Sequence, residues 1–147
     1  MKQHSNVIER VENHLKMKKG VLTENTSQDE GFNYWDISIT ATTKNNREST
    51  YTVKPNNTYK NDKVCIEFRK MVDGQFVPSG IGAATSEFVI LTFYDDLNLY
   101  MIKRTKLIEY ALAIRNKPVE KYTCMDKNKC QLALFDRPAL LRKCTII

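Results

Sequence analysis

The sequence predicts an α+β fold, helices flanking a central mixed, largely antiparallel β-sheet, and three observations predict it. Polar and apolar residues alternate over residues 34–42 and 64–70, the period of a strand with one buried face. Residues 88–94, Phe-Val-Ile-Leu-Thr-Phe-Tyr, form a near-continuous apolar run of strand formers, as expected of a strand covered on both faces. Two further stretches, 5–19 and 105–115, place apolar residues at helical spacing. A chain of 147 residues suits a single domain, and 41% hydrophobic with 27% charged residues is the balance of a globular protein.

The first helix is expected over residues 5–19. Ser5 stands as its N-cap, Ile8, Val11 and Leu15 make one apolar stripe, and Gly20 ends it. Glu9 and Glu12 lie on one flank of that stripe: either they complement the helix dipole in solvent, or one leans over the sheet toward Asp36. Residues 21–33 show no period and read as a loop. Strands follow over 34–42, 49–54 and 64–70, and the turn-like connectors between them imply antiparallel neighbours. In the first, Trp35, Ile37, Ile39 and Ala41 share a face opposite Asp36, Ser38 and Thr40; in the third, Val64, Ile66 and Phe68 oppose Cys65, Glu67 and Arg69. If these two strands are neighbours, Asp36 and Glu67 converge, which is what a hard divalent cation and a phosphodiester substrate need.

Residues 71–74 turn the chain. The glycines and small residues of 79–87 permit a close backbone approach to a packed strand or a ligand, and a short helix fits through Ala83 and Ala84. The strand over 88–94, a turn at 95–98 and a returning strand over 99–103 make a hairpin. The second helix, 105–115, presents Leu107, Ile108, Ala111, Leu112 and Ile114 as a wide apolar face and stops before Pro118. The tail adds a polar turn around 126–129, a short strand over 131–135, and a helical turn with Asp136 as cap and Pro138 in its first turn.

A net charge of +6 favours polyanionic partners, because each lysine or arginine that meets a phosphate releases condensed counterions. No apolar run approaches the roughly 18 residues of a membrane span. The start, Met-Lys-Gln-His-Ser-Asn, lacks the apolar core of a secretory signal, so a cytoplasmic setting without membrane contact is expected. Cys65, Cys124, Cys130 and Cys144 contain no Cys-x-x-Cys pair, and His4 and His14 are far from three of them. They read as plain thiols, buried or exposed, rather than as zinc ligands.

The order helix, three strands, small-residue segment, buried strand and helix carries Asp36 on the first strand and Cys65-Ile-Glu-Phe-Arg69 on the third. Pro78-Ser-Gly-Ile81, Ala84-Thr-Ser-Glu-Phe-Val89 and Tyr100-Met-Ile-Lys103 follow. Over about residues 5–115 this resembles the PD-(D/E)XK nuclease superfamily, and most of all its small phage-type members. The resemblance implies a restriction-endonuclease-like fold and hydrolysis of DNA phosphodiester bonds with Mg²⁺ or Mn²⁺, by a phage- or mobile-element-encoded protein acting in the host cytoplasm. It implies that Asp36 and Glu67 hold the metal and that Glu9 or Glu12 is the additional acid of the first helix.

Arg69 stands where the family carries lysine. Arginine stays protonated and cannot be a general base, but it clamps a phosphate with two hydrogen bonds. Lys70 comes one residue late and faces away unless a bulge turns it inward, while Lys54 reaches the same space from the middle strand. Arg69 or Lys70 would then stabilise the transition state. Two other readings stand beside hydrolysis: an inactive nuclease-like protein that binds nucleic acid, and a phage accessory protein that binds a host protein through the loops of Tyr59 and Phe76. DNA against RNA, and pairing of two chains as a homodimer, stay open.

Overall fold

The structure, a computed structural model, describes residues 9–16, 22–25, 37–42, 48–56, 62–114, 119–122 and 129–147. Its class is α+β, as expected. The strands do not form one central sheet, however. Among the described residues they divide between a six-stranded and a four-stranded sheet, and the chain forms two compact units. Unit 1 comprises residues 1–56, 86–103 and 145–147; unit 2 comprises 57–85 and 104–144.

In unit 1, helix α1 covers residues 9–16 and the sheet contains β1 (Leu22–Asn25), β2 (Ile37–Thr42), β3 (Glu48–Asn56), β6 (Phe88–Phe93), β7 (Asp96–Lys103) and β10 (Thr145–Ile146), in the order β1-β2-β3-β6-β7-β10. All pairs are antiparallel except β3 with β6, which makes the sheet mixed. The apolar run explains this order. Val89 to Phe93 are buried without a break, so β6 requires neighbours on both edges and cover on both faces. It takes β3 on one edge and β7 on the other. The core gathers Val11 and Leu15 of α1 with Tyr51, Val53, Ile90 and Leu99, and Tyr51 stacks on Phe88 with ring centroids 5.5 Å apart. Arg10 holds α1 to the tip of the β6–β7 hairpin by donating to the carbonyls of Asp96, Leu97 and Asn98. Asp96 in turn accepts from Asn98 N at 2.8 Å and Tyr100 Oη at 2.5 Å.

Two expectations for this unit change. Residues 22–25, read as loop, pair with β2 from Leu22↔Thr42 to Asn25↔Ile39, because a polar segment suffices at a sheet edge. The hairpin turns at Tyr94 and Asp95 rather than over 95–98.

In unit 2 the sheet order is β5-β4-β9-β8, from β4 (Lys63–Val72), β5 (Gln75–Pro78), β8 (Val119–Tyr122) and β9 (Lys129–Asp136), and it is antiparallel throughout. The β4–β5 hairpin closes on Asp73-Gly74 with φ of 50° and 81°, the two left-handed residues of a type I′ turn. Helix α2 (Arg104–Ala113) packs on β4, β9 and a single 3₁₀ turn, Gly80–Gly82. That turn replaces the short helix expected at Ala83 and Ala84. In α2, Leu107 and Ala111 are buried but Leu112 is 50% exposed, so the apolar stripe is narrower than the sequence suggests. Helix α3 (Arg137–Leu141) keeps the expected cap: Asp136 accepts from Ala139 N at 3.2 Å, and Pro138 lies in the first turn. Arg137 ties this end to the start of β4 through Asp62, by a backbone bond of 3.0 Å and an ion pair of 3.6 Å.

The 3₁₀ turn is seated on β4. Ser79 N donates to the Phe68 carbonyl at 3.1 Å, and Gly80, at φ 53°, and Gly82 lie so close to the Glu67 and Phe68 carbonyls that no Cβ fits. The small-residue segment therefore serves a packed strand. Alanine at Gly74, also at positive φ but with open space around it, is expected to cost about 1–2 kcal/mol. Alanine at Gly80 adds the collision with Glu67 and is expected to cost about 3 kcal/mol or more. Urea denaturation of both variants checks this, and equal losses would show that the turn is not pressed onto β4.

Candidate functional site

The sequence singles out Glu9, Asp36, Glu67, Arg69 and Lys70. Asp36 lies outside the described residues. The strand that follows it, β2, pairs with β1 and β3, whereas β4 pairs with β5 and β9. The strands expected to bring Asp36 beside Glu67 are thus not neighbours. The short connector between β3 and β4 does not make a hairpin, because the free edge of β3 is taken by β6. Glu9 is exposed on α1, in unit 1; Glu67, Arg69 and Lys70 belong to unit 2.

Within unit 2 the geometry at Glu67 departs from simple alternation. The pairing of β4 with β9 runs Cys65↔Leu134, Ile66↔Ala133, Glu67↔Leu132, then slips to Arg69↔Gln131 and Lys70↔Cys130. Phe68 is the extra residue of a β-bulge, which shifts every later side chain to the opposite face. By register Lys70 joins Cys65, Glu67, Leu132 and Cys130 on one face, while Arg69 falls on the face of Ile66 and Ala133, opposite Gln131. Two contacts agree with this. The Cys130 thiol donates to Glu67 Oε1 at 3.2 Å, and the Arg69 guanidinium sits 5.1 Å over the Phe68 ring. The expectation that Glu67 and Arg69 share a face is therefore corrected: the bulge gives that place to Lys70. The sequence carries no signal for which β4 residue the pairing with β9 would set aside.

These residues do not complete a metal centre by themselves. Among the described residues no group of three or more His, Cys, Asp or Glu is placed to hold an ion. Glu67 brings one carboxylate, already engaged by a thiol, where Mg²⁺ or Mn²⁺ needs an oxygen-rich set.

Charge is distributed unevenly along the chain. Unit 2 holds fourteen Lys and Arg against seven Asp and Glu, a net +7; unit 1 holds nine against ten, a net −1. The overall +6 thus comes from unit 2. Its two segments are separated by 18 residues of unit 1, so a linear scan of the sequence blurs this division. No helix among the described residues is long and apolar enough to cross a membrane.

Among the described residues, Cys65, Cys130 and Cys144 form no disulfide. Burial pushes the Cys144 thiol up to about 11, and its Sγ donates to the Leu140 carbonyl at 3.5 Å. Burial likewise raises the Tyr51 hydroxyl, with Glu87 adding to the effect against a bond from Ser49. Both groups hold their protons longer in the folded than in the unfolded chain. Their contribution is full below the unfolded pKa, 9.0 for the thiol, and is lost as pH rises through the folded value. Stability is therefore expected to fall between pH 9 and 11, and Cys144→Ala to flatten the first part of that fall. Urea midpoints measured across this range test it, and an unchanged slope in the variant would refute the assignment to Cys144.

Comparison with known proteins adds no relative: no family model, no curated protein and no solved structure matches the chain.

Proposed function

We propose that this chain binds nucleic acid, and that unit 2 carries the binding. The observation behind the reading is the segregation of charge, +7 in unit 2 against −1 in unit 1. A polyanion is attracted by local potential rather than by the average over a molecule, and a surplus concentrated in about half the chain produces the stronger field. The antiparallel sheet with its bulged strand and two helices is a rigid carrier for such a surface.

A second reading, phosphodiester hydrolysis of the PD-(D/E)XK kind, is favoured by one observation, the bulge at Phe68. With Phe68 set aside, Glu67 and Lys70 occupy the register of an acid and lysine spaced as Asp/Glu-x-Lys. Lys70 rather than Arg69 is then the cation of that reading, and the family's lysine has a counterpart at its place. The restriction-endonuclease-like arrangement and the Mg²⁺ requirement belong to this reading alone.

Fluorescence anisotropy with labelled single-stranded and duplex DNA and RNA separates the two. Binding is expected in low salt, weakening steeply as salt rises and indifferent to EDTA; absence of binding at about 20 mM salt would overturn the proposal. Incubation of the same nucleic acids with Mg²⁺ or Mn²⁺ decides the second reading. It requires cleavage that Lys70→Met and Glu67→Ala abolish and Arg69→Met spares, and uncut substrates remove it.

A further inference from the structure

The surplus charge of unit 2 is spread over both of its segments, but α2 and the turn after α3 bring part of it to one place. Lys106 and Tyr110 lie one helical turn apart on the same flank of α2, beside rather than on the buried stripe of Leu107 and Ala111. From the other segment end, Lys143 sits with Nζ 4.6 Å from the centroid of the Tyr110 ring. Arg142 precedes it, and Lys106, Arg142 and Lys143 are all exposed. The backbone beneath is fixed: Arg142 N bonds to the Pro138 carbonyl at 3.2 Å and Lys143 N to that of Leu140 at 2.9 Å, while Leu140 itself is buried. One acid joins the cluster, Glu109, 3.5 Å from Lys106 and two-thirds exposed. Three cations against one carboxylate leave a local excess of positive charge.

We infer that this flank, Lys106 and Tyr110 of α2 with Arg142 and Lys143 after α3, is the surface on which unit 2 takes the phosphate backbone of a nucleic acid. The inference rests on the nucleic-acid reading above and adds its location. The Tyr110 ring holds the Lys143 ammonium in one position without neutralising it, since the ring quadrupole attracts the cation while its charge stays available. A lysine held this way loses less side-chain freedom on meeting a phosphate than one waving in solvent. Arg142 offers the forked donor geometry that suits a phosphate. Arg104 and Arg137, by contrast, are committed inside the unit, Arg104 to the Ile81 carbonyl at 3.3 Å and Arg137 to Asp62.

The test compares two triple variants of equal charge loss in the full chain. Lys106, Arg142 and Lys143 are changed to Gln in one; Lys16, Lys18 and Lys19 of unit 1 are changed to Gln in the other. Binding of a labelled 20-nucleotide DNA or RNA, single-stranded and duplex, is followed through a salt series. The first variant is expected to lose at least tenfold in affinity at 100 mM salt and to show a slope of log K against log salt shallower by about 2–3; the second is expected to match the parent. Replacing Lys106 and Lys143 by Arg keeps the charge and is expected to keep the slope, which guards against a mere loss of fold. If the parent binds and the first variant binds equally well, or both triple variants weaken alike, the location is wrong while the nucleic-acid reading stands. If the parent binds none of these nucleic acids, both fall.

Discussion

The geometry of unit 2 depends on two backbone carbonyls, those of Glu67 and Phe68. A strand carbonyl seeks a donor from a neighbouring strand, but Ser79 N takes the Phe68 oxygen and the 3₁₀ turn lies against both. That bond continues the β4–β5 pairing by one residue, and on its other edge β4 pairs with β9 through a bulge that sets Phe68 aside. This seat requires residues without side chains at 80 and 82 and goes with the burial of Ile81, while the bulge toward β9 puts Lys70 in place of Arg69 on the face of Glu67. The constraint is local and short in sequence, and the bulge beside it decides which cation shares the face of Glu67.

Much of the secondary structure is legible in the sequence because period and capping are local properties. The alternation in β4, the unbroken apolar run of β6, the Asp73-Gly74 turn and the Asp136 cap with Pro138 each follow from a few adjacent residues. Edge strands are less legible. β1 and β10 are short or polar and become strands only through a partner that pairs with them. Leu112 looks like core by spacing and is half exposed, since periodicity shows which side of a helix is apolar but not how far the neighbouring element extends.

The candidate site is less legible in the sequence, for a different reason. Strand pairing is a choice among partners, and a short connector favours but does not compel a hairpin. Between β3 and β4 that preference loses to the need of β6, apolar on every residue, for an occupied edge on each side. Convergence of Asp36 with Glu67 requires their strands to be neighbours, and the sheet order does not meet this. The bulge is invisible for a similar reason: it belongs to the pairing with β9, more than sixty positions later, and nothing in Cys65-Ile-Glu-Phe-Arg-Lys70 announces it.

The division of charge shows what chain order hides. Unit 2 is built from two segments that leave and re-enter it across the β6–β7 hairpin, so its basic residues are scattered in sequence and gathered only by folding. Lys106 and Lys143 are 37 positions apart, yet both attend the Tyr110 flank of α2. Like charges brought together repel one another, and an aromatic ring is one way to hold a cation there without cancelling it. A carboxylate would bind Lys143 more tightly and remove its field. The contact with Tyr110 leaves the charge of Lys143 uncancelled, which sets it apart from an ion pair such as Arg137 with Asp62 and is what the proposed binding surface requires.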